Sequence, residues 1–217
     1  MKYNEIKHEV ITVNDIDYLI RTLKDRQQFS DDDHRAEDLG ISSATWPLFG
    51  VIWPTSRVLA SVVSQESLEG KRVLEIGCGI ALTSIVLHQM GIDVTASDYH
   101  PLAQEFLDKN ILANDMQPIK YETGNWEADN PLLGNFDLII GSDVLYEPNH
   151  AELVSQFINR HSGKNIDVII IDPERGNRSL FTRKMEALGF EHHFERFNVP
   201  GSLETQCKGR ILHYHRH

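Results

Sequence analysis

Two glycines and two carboxylates carry the first chemical signal in this chain. Gly77-Cys78-Gly79 directly follows the apolar run Arg72–Ile76 and precedes an apolar stretch with helical spacing. That order places a glycine loop where a parallel strand hands over to a helix, facing a ligand crevice. Glycines there allow close backbone approach and positive φ, and Cys78 between them contributes mainly its backbone. A dinucleotide fingerprint would need a small residue at position 82; Leu82 stands there, and no Lys-Ser/Thr pair follows as in a P-loop. Pyrophosphate binding is therefore disfavoured. Asp98, 21 positions after Gly77, falls where a carboxylate accepts hydrogen bonds from both ribose hydroxyls. Glu75, inside the strand, is expected to point into the crevice near a cationic ligand head. The set suits a nucleoside with free hydroxyls.

Positioning these groups requires strands that alternate with helices. Apolar runs at Arg72–Ile76, Asp93–Ser97, Lys120–Glu122, Phe136–Gly141 and Asp167–Ile171 read as strands. Helical spacing at Ile80–Met90, Pro101–Ala113, His150–Arg160 and Ser179–Leu188 separates most of them. Such alternation builds right-handed βαβ units and a parallel sheet covered on both faces. Phe190–Val199 and Lys208–His217 are two strand-like runs with no helix between them, which places an antiparallel strand in the sheet. Upstream, Glu9–Ile20 alternates on both sides of Asn14-Asp15, a pair that tolerates φ > 0, and predicts a β-hairpin. Residues 30–45 are acidic and without period, hence a loop or short irregular helix. Pro54 opens a helix over the residues that follow. The expected fold is an α/β, doubly wound, Rossmann-like domain with a terminal antiparallel strand and an N-terminal hairpin extension.

"VLEIGCGIALTSIVL" with "VTASDYHP" resembles motifs I and II of class I S-adenosylmethionine-dependent methyltransferases, whose sheet has seven strands. The resemblance runs from about Trp46 onward, which divides the chain into an extension (1–45) and a catalytic domain (46–217). Ala81 stands where many members have a third glycine. "VIWPTSRVLA", "TGNWE", "SDVLYE" with its D-x-x-Y spacing, and "DPERGN" with Arg175 are similar to the protein-lysine methyltransferase branch. Asn125 replaces that branch's usual aspartate. The resemblance implies cofactor contacts for Trp53, Glu75, Gly77, Cys78, Gly79, Asp98, Tyr99, Asn125, Trp126 and Ser142. It implies catalytic roles for Asp143 and Tyr146, S-adenosylmethionine as cofactor, and a lysine on a protein surface as acceptor.

Methyl transfer from a sulfonium is an in-line displacement, so the enzyme mainly aligns nucleophile, methyl and sulfur. A lysine amine, with a pKa of about 10.4, must first lose a proton. Asp143, at the C-terminal end of a strand, can hold the amine through a charge-assisted hydrogen bond; Tyr146 can wall the channel and offer a hydroxyl or a π face. Structural uses stand beside these roles: Asp143 as a cap for the following turn, Tyr146 as packing, Trp126 as an edge of the core. A small-molecule amine such as a nicotinamide-like acceptor, or a non-catalytic cofactor-binding protein, are the rival readings.

The net charge of −11 over 217 residues argues against binding a phosphate backbone. The acidic run Asp31–Asp33 could instead recruit a basic substrate. No apolar run is long enough for a bilayer, the first residues lack the apolar core of a secretory signal, and two cysteines make no disulfide framework. A cytoplasmic monomer is expected. "HYHRH" has no carboxylate or cysteine partner in sequence, so no metal site is expected.

Overall fold

The computed structural model describes residues 5–25, 31–200 and 206–217. Ser30 of the acidic segment and the connection 201–205 between the last two strand-like runs lie outside them. The hairpin forms as its turn chemistry requires. Strands β1 (Ile6–Val13) and β2 (Ile16–Leu23) pair antiparallel around Asn14 and Asp15, whose φ angles of 48° and 62° are the left-handed values a two-residue turn needs. The acidic segment contributes a one-turn helix, α1 (Arg35–Asp38), and a short 3₁₀ helix follows at Ser43–Leu48. Pro54 occupies the first position of α2 (Pro54–Val63), where its missing N–H costs nothing.

The strand–helix alternation then runs β3 (Arg72–Ile76), α3 (Leu82–Gln89), β4 (Asp93–Asp98), α4 (Ala103–Ala113), β5 (Lys120–Thr123), β6 (Phe136–Ser142), α5 (His150–His161), β7 (Ser162–Asp172), α6 (Arg178–Ala187), β8 (Glu191–Val199) and β9 (Cys207–Arg216). The seven-stranded sheet has the order β5-β4-β3-β6-β7-β9-β8. Its strands are parallel except β9, which pairs antiparallel with both β7 and β8. The antiparallel strand expected at the end of the chain is β9, which fills a gap between two strands that precede it.

Residues of the central strands alternate between two cores, as a sheet buried on both faces demands. Leu138 and Ile140 of β6 face the side covered by α2, α3 and α4; Ile139 faces the side covered by α5 and α6. The hairpin joins the first of these cores through Ile11, Tyr18, Ile20 and Leu23, each at most 1% exposed. Burial on that scale contributes roughly 1.5–3 kcal/mol per side chain. Two asparagines of α4 complete the attachment. The Arg21 N–H donates to Asn110 Oδ1 at 2.7 Å and the Leu19 N–H to Asn114 Oδ1 at 2.8 Å, which satisfies backbone groups on the outer edge of β2.

Candidate active site

The order of the sheet reverses at β3, flanked by β4 and β6, so a crevice opens at the carboxyl ends of these strands. Gly77 and Gly79 turn the chain there with φ of 57° each, and Ala81 follows at φ 61° as the N-cap of α3. The left-handed value at position 81 explains why glycine suits it; alanine bears the cost because its methyl is fully buried in the core. A Cβ at Gly79 would meet no atom within 4 Å, whereas one at Gly77 would stand 3.0 Å from Val144 Cγ1 and 3.5 Å from Trp126 Cζ2. One glycine thus faces open space and the other lets the loop lie against the two downstream segments singled out in the sequence.

Asp98 ends β4 with both carboxylate oxygens engaged: Gly79 N–H donates to Oδ2 at 2.7 Å and His100 N–H to Oδ1 at 2.8 Å. Each oxygen keeps a lone pair for a ribose hydroxyl. Burial nonetheless raises its pKa above the ordinary carboxylate value. Glu75 lies differently from expectation. It is 3% exposed and accepts the N–H and hydroxyl of Ser84 through Oε2, tying β3 to the first turn of α3. Rather than opening into the crevice, it sits beneath the loop, and burial pushes it up to about 7. Cys78 is buried, its thiol pKa is raised well above normal by that burial, and its N–H donates to Ser97 O, so only its backbone serves the loop.

The other residues expected on the cofactor side sit in neighbouring turns and element ends. Trp53, the N-cap of α2, donates its indole N–H to Leu48 O at 2.9 Å. Tyr99 turns its hydroxyl to Leu39 O at 3.0 Å, and Arg35 donates to Pro101 O at 2.7 Å; the acidic segment is thereby clamped to the loop after β4. Asn125 receives Glu127 N–H on Oδ1, and its own N–H reaches Asn130 Oδ1, so it shapes the turn that carries Trp126. Arg160 of α5 supports that turn by donating to Trp126 O at 2.7 Å. Trp46 packs against the core. Ser142 is the last residue of β6, half-buried, directly before Asp143.

Asp143 and Glu174 both adopt left-handed φ, 55° and 65°, at the ends of β6 and β7. Non-glycine strain of this kind costs on the order of 1–3 kcal/mol and collects at functional sites. Between them a fork–fork pair forms: Arg175 Nε to Asp143 Oδ1 at 2.5 Å and Nη2 to Oδ2 at 2.6 Å. Asp143 therefore caps no helix; its carboxylate is neutralised by Arg175. Asn177 donates to Leu145 O and Glu147 O, so the loop after β7 holds the loop after β6 at several points. Tyr146 is 37% exposed, and burial, followed by the carboxylates of Asp98, Glu147 and Asp143, pushes its phenol up to about 12.

Sequence reading overlooked His150. Its ring packs edge-on against Trp126 (centroids 5.0 Å apart) and Tyr146 (4.5 Å), and Nδ1 lies 3.0 Å from Val144 O. A carbonyl only accepts, so Nδ1 carries the proton, and burial holds the imidazole pKa below its usual value. This neutral ring joins the two aromatic residues into one wall. As the first residue of α5 it carried no signal beyond helix periodicity.

With the geometry established, comparison with known proteins decides the family. A family profile described as "Lysine methyltransferase" matches residues 36–187. The chain belongs to the lysine methyltransferase family. The Danio rerio protein N-lysine methyltransferase METTL21A is 30% identical over 167 residues, 70% of this chain and 76% of that one. A Dictyostelium discoideum histidine protein methyltransferase 1 homolog is 33% identical over 121 residues, 52% of this chain and 39% of that one. The chain thus spans 39% and 76% of the lengths of these two relatives. The T. thermophilus 16S rRNA N2 G1207 methyltransferase (RsmC), solved with AdoMet and guanosine, superposes with a TM-score of 0.65 at 15% identity, over 98% of this chain and 51% of that chain; it shows the shared fold. Methyltransferases of this family depend on S-adenosylmethionine, and the residues present fit it: the open side of Gly79 leaves room, and Asp98 stands beside it as a hydroxyl acceptor.

Proposed function

We propose that the protein N-methylates a lysine side chain of a protein substrate. The observation that carries this reading is the meeting of two sites at neighbouring strand ends. A nucleoside cradle built on Gly77, Gly79 and Asp98 touches, through Trp126 and Val144, the Asp143–Tyr146 turn. Asp98, Gly77, Gly79, Tyr99 and Trp53 would hold the cofactor, with Asn125 and Trp126 closing one side. Bound S-adenosylmethionine supplies a methyl group on an electrophilic sulfonium.

The chain's own task is to receive a neutral amine and aim it. An unpaired carboxylate would favour the ammonium form; pairing Asp143 with Arg175 cancels most of that pull and leaves lone pairs to orient the amine. Tyr146 stays protonated through pH 9 and presents a hydroxyl and a π face. The Trp126–His150–Tyr146 wall lines one side of the approach. The proton released by the amine passes to solvent. We place the protein in the cytoplasm, a reading supported by two free, buried cysteines, and propose a monomer. Among the described residues no helix is long and apolar enough to cross a membrane.

Tritiated S-adenosylmethionine incubated with the protein and a lysate tests the acceptor. Label should appear in a protein band and, after hydrolysis, in methyl-lysine. Label confined to molecules below about 1 kDa, far under any domain size, would overturn the reading in favour of a small amine.

A further inference from the structure

The antiparallel pairing of β8 and β9 supplies the partner that "HYHRH" lacks in sequence. His193 and His213 stand directly opposite one another, their rings parallel within 3° and their centroids 4.4 Å apart. Glu195, two residues along β8 and so on the same face, brings Oε1 to 3.9 Å from His193 Nε2 and 3.8 Å from His213 Nε2. One ligand atom from each of the three residues lies within 4.8 Å of the others. We infer that His193, Glu195 and His213 form a site for a borderline divalent transition-metal ion, with Zn²⁺ as the reference ion.

Four observations support it. Ligands around a tetrahedral zinc at bond lengths near 2.1 Å stand about 3.4 Å apart, and the in-plane lone pairs of two parallel rings do not converge, so closure draws the ligand atoms together and turns the His193 ring, whose side chain is 61% exposed, out of the stack. Glu195, whose side chain is also 61% exposed, has the freedom to follow. His213 Nε2 is shielded from solvent and has no hydrogen-bond partner among the described residues, although it lies 3.8 Å from Glu195 Oε1. A cavity of about 170 Å³ adjoins the imidazoles and is lined also by Glu66, His215 and the Lys71–Asp167 ion pair, which gives room for water to complete the coordination. Two imidazoles and one carboxylate select zinc, nickel or copper over magnesium or calcium, which prefer all-oxygen shells. A bound ion would clip β8 to β9, apart from the strand ends that carry the methyl-transfer site.

The test is a titration of chelator-treated protein with ZnCl₂ by calorimetry, paired with thermal melts. One equivalent should bind per chain and raise the melting temperature, while MgCl₂ does neither. Glu195→Gln, an exposed and nearly isosteric change, and His193→Asn should each weaken zinc binding at least tenfold. His215→Asn, which leaves all three ligands in place, should bind as the wild type does. Cofactor affinity should be equal in all four proteins, which confirms that each is folded. Equal zinc affinity in wild type and Glu195→Gln, or half an equivalent bound with formation of a dimer, would overturn the site.

Discussion

Burial pushes the Glu75 carboxyl up to about 7 while two bonds from Ser84 pull it back, so the folded chain keeps a proton that the unfolded chain has lost. The sign follows directly. A raised folded pKa contributes stability that is complete below the unfolded value, near 4.3, and disappears as pH rises through about 7. Glu75→Gln keeps an acceptor for Ser84 and removes the ionisation, so its melting temperature relative to wild type should climb between pH 5 and pH 8. A constant difference across that range would show that Glu75 does not titrate there. Gly79 offers a cleaner separation of folding from binding. Its α-carbon faces open space, so Gly79→Arg should fold, losing roughly 1–2 kcal/mol to its positive φ, yet fill the crevice. Calorimetry should find no S-adenosylmethionine binding by a variant that still melts cooperatively. Asp98→Ala should weaken the cofactor over tenfold and also loosen the loop, because the same carboxylate holds Gly79 and His100.

At the scale of elements, the loops after β6 and β7 act as one unit. Arg175→Lys keeps the charge but cannot form the fork, so turnover should fall about tenfold (near 1.4 kcal/mol) with cofactor affinity within twofold of wild type. Steady-state kinetics beside direct binding decides it; an equal loss in both would mean that the pair supports the whole site. The same unit shows what a sequence can reveal. Strands, helices and the Asn14-Asp15 turn were legible because each follows from local periodicity or local φ preference. The glycine loop and Asp98 were legible because their spacing is fixed by a single βα unit. Asp143 with Arg175, His150 with Tyr146 and His193 with His213 were not, because each is made by pairing elements whose register no local pattern records. Glu75 misled for a related reason: alternation along a strand gives two faces, and only the packing of α3 shows which one it occupies.

For the molecule as a whole, charge and attachment matter more than any single contact. Asp31 is 7% exposed and accepts the N–H groups of Ala36 and Glu37, so it caps α1 and is no free rim charge. Only Asp32 and Asp33 remain as exposed docking charges from that run. Replacing both with Asn should raise KM for a basic protein acceptor and reduce its salt dependence, since exposed charges are screened over about 10 Å at 0.1 M salt and about 3 Å at 1 M. Unchanged salt dependence would remove the acidic segment from acceptor binding. The rate with a lysine acceptor should rise from pH 7 to 9 as the neutral amine grows, because Tyr146 does not ionise in that window.

The position of β9 also has a consequence for biosynthesis. During translation β8 leaves the ribosome before β9, yet its place in the sheet is created only when β9 has paired with β7. Until then β7 presents a bare edge of consecutive isoleucines, Ile169–Ile171, and β8 has no strand to join. Nascent chains should therefore depend on chaperones longest at this late step. A ribosome stalled between the two strands would release a species more prone to aggregate than one stalled after β6.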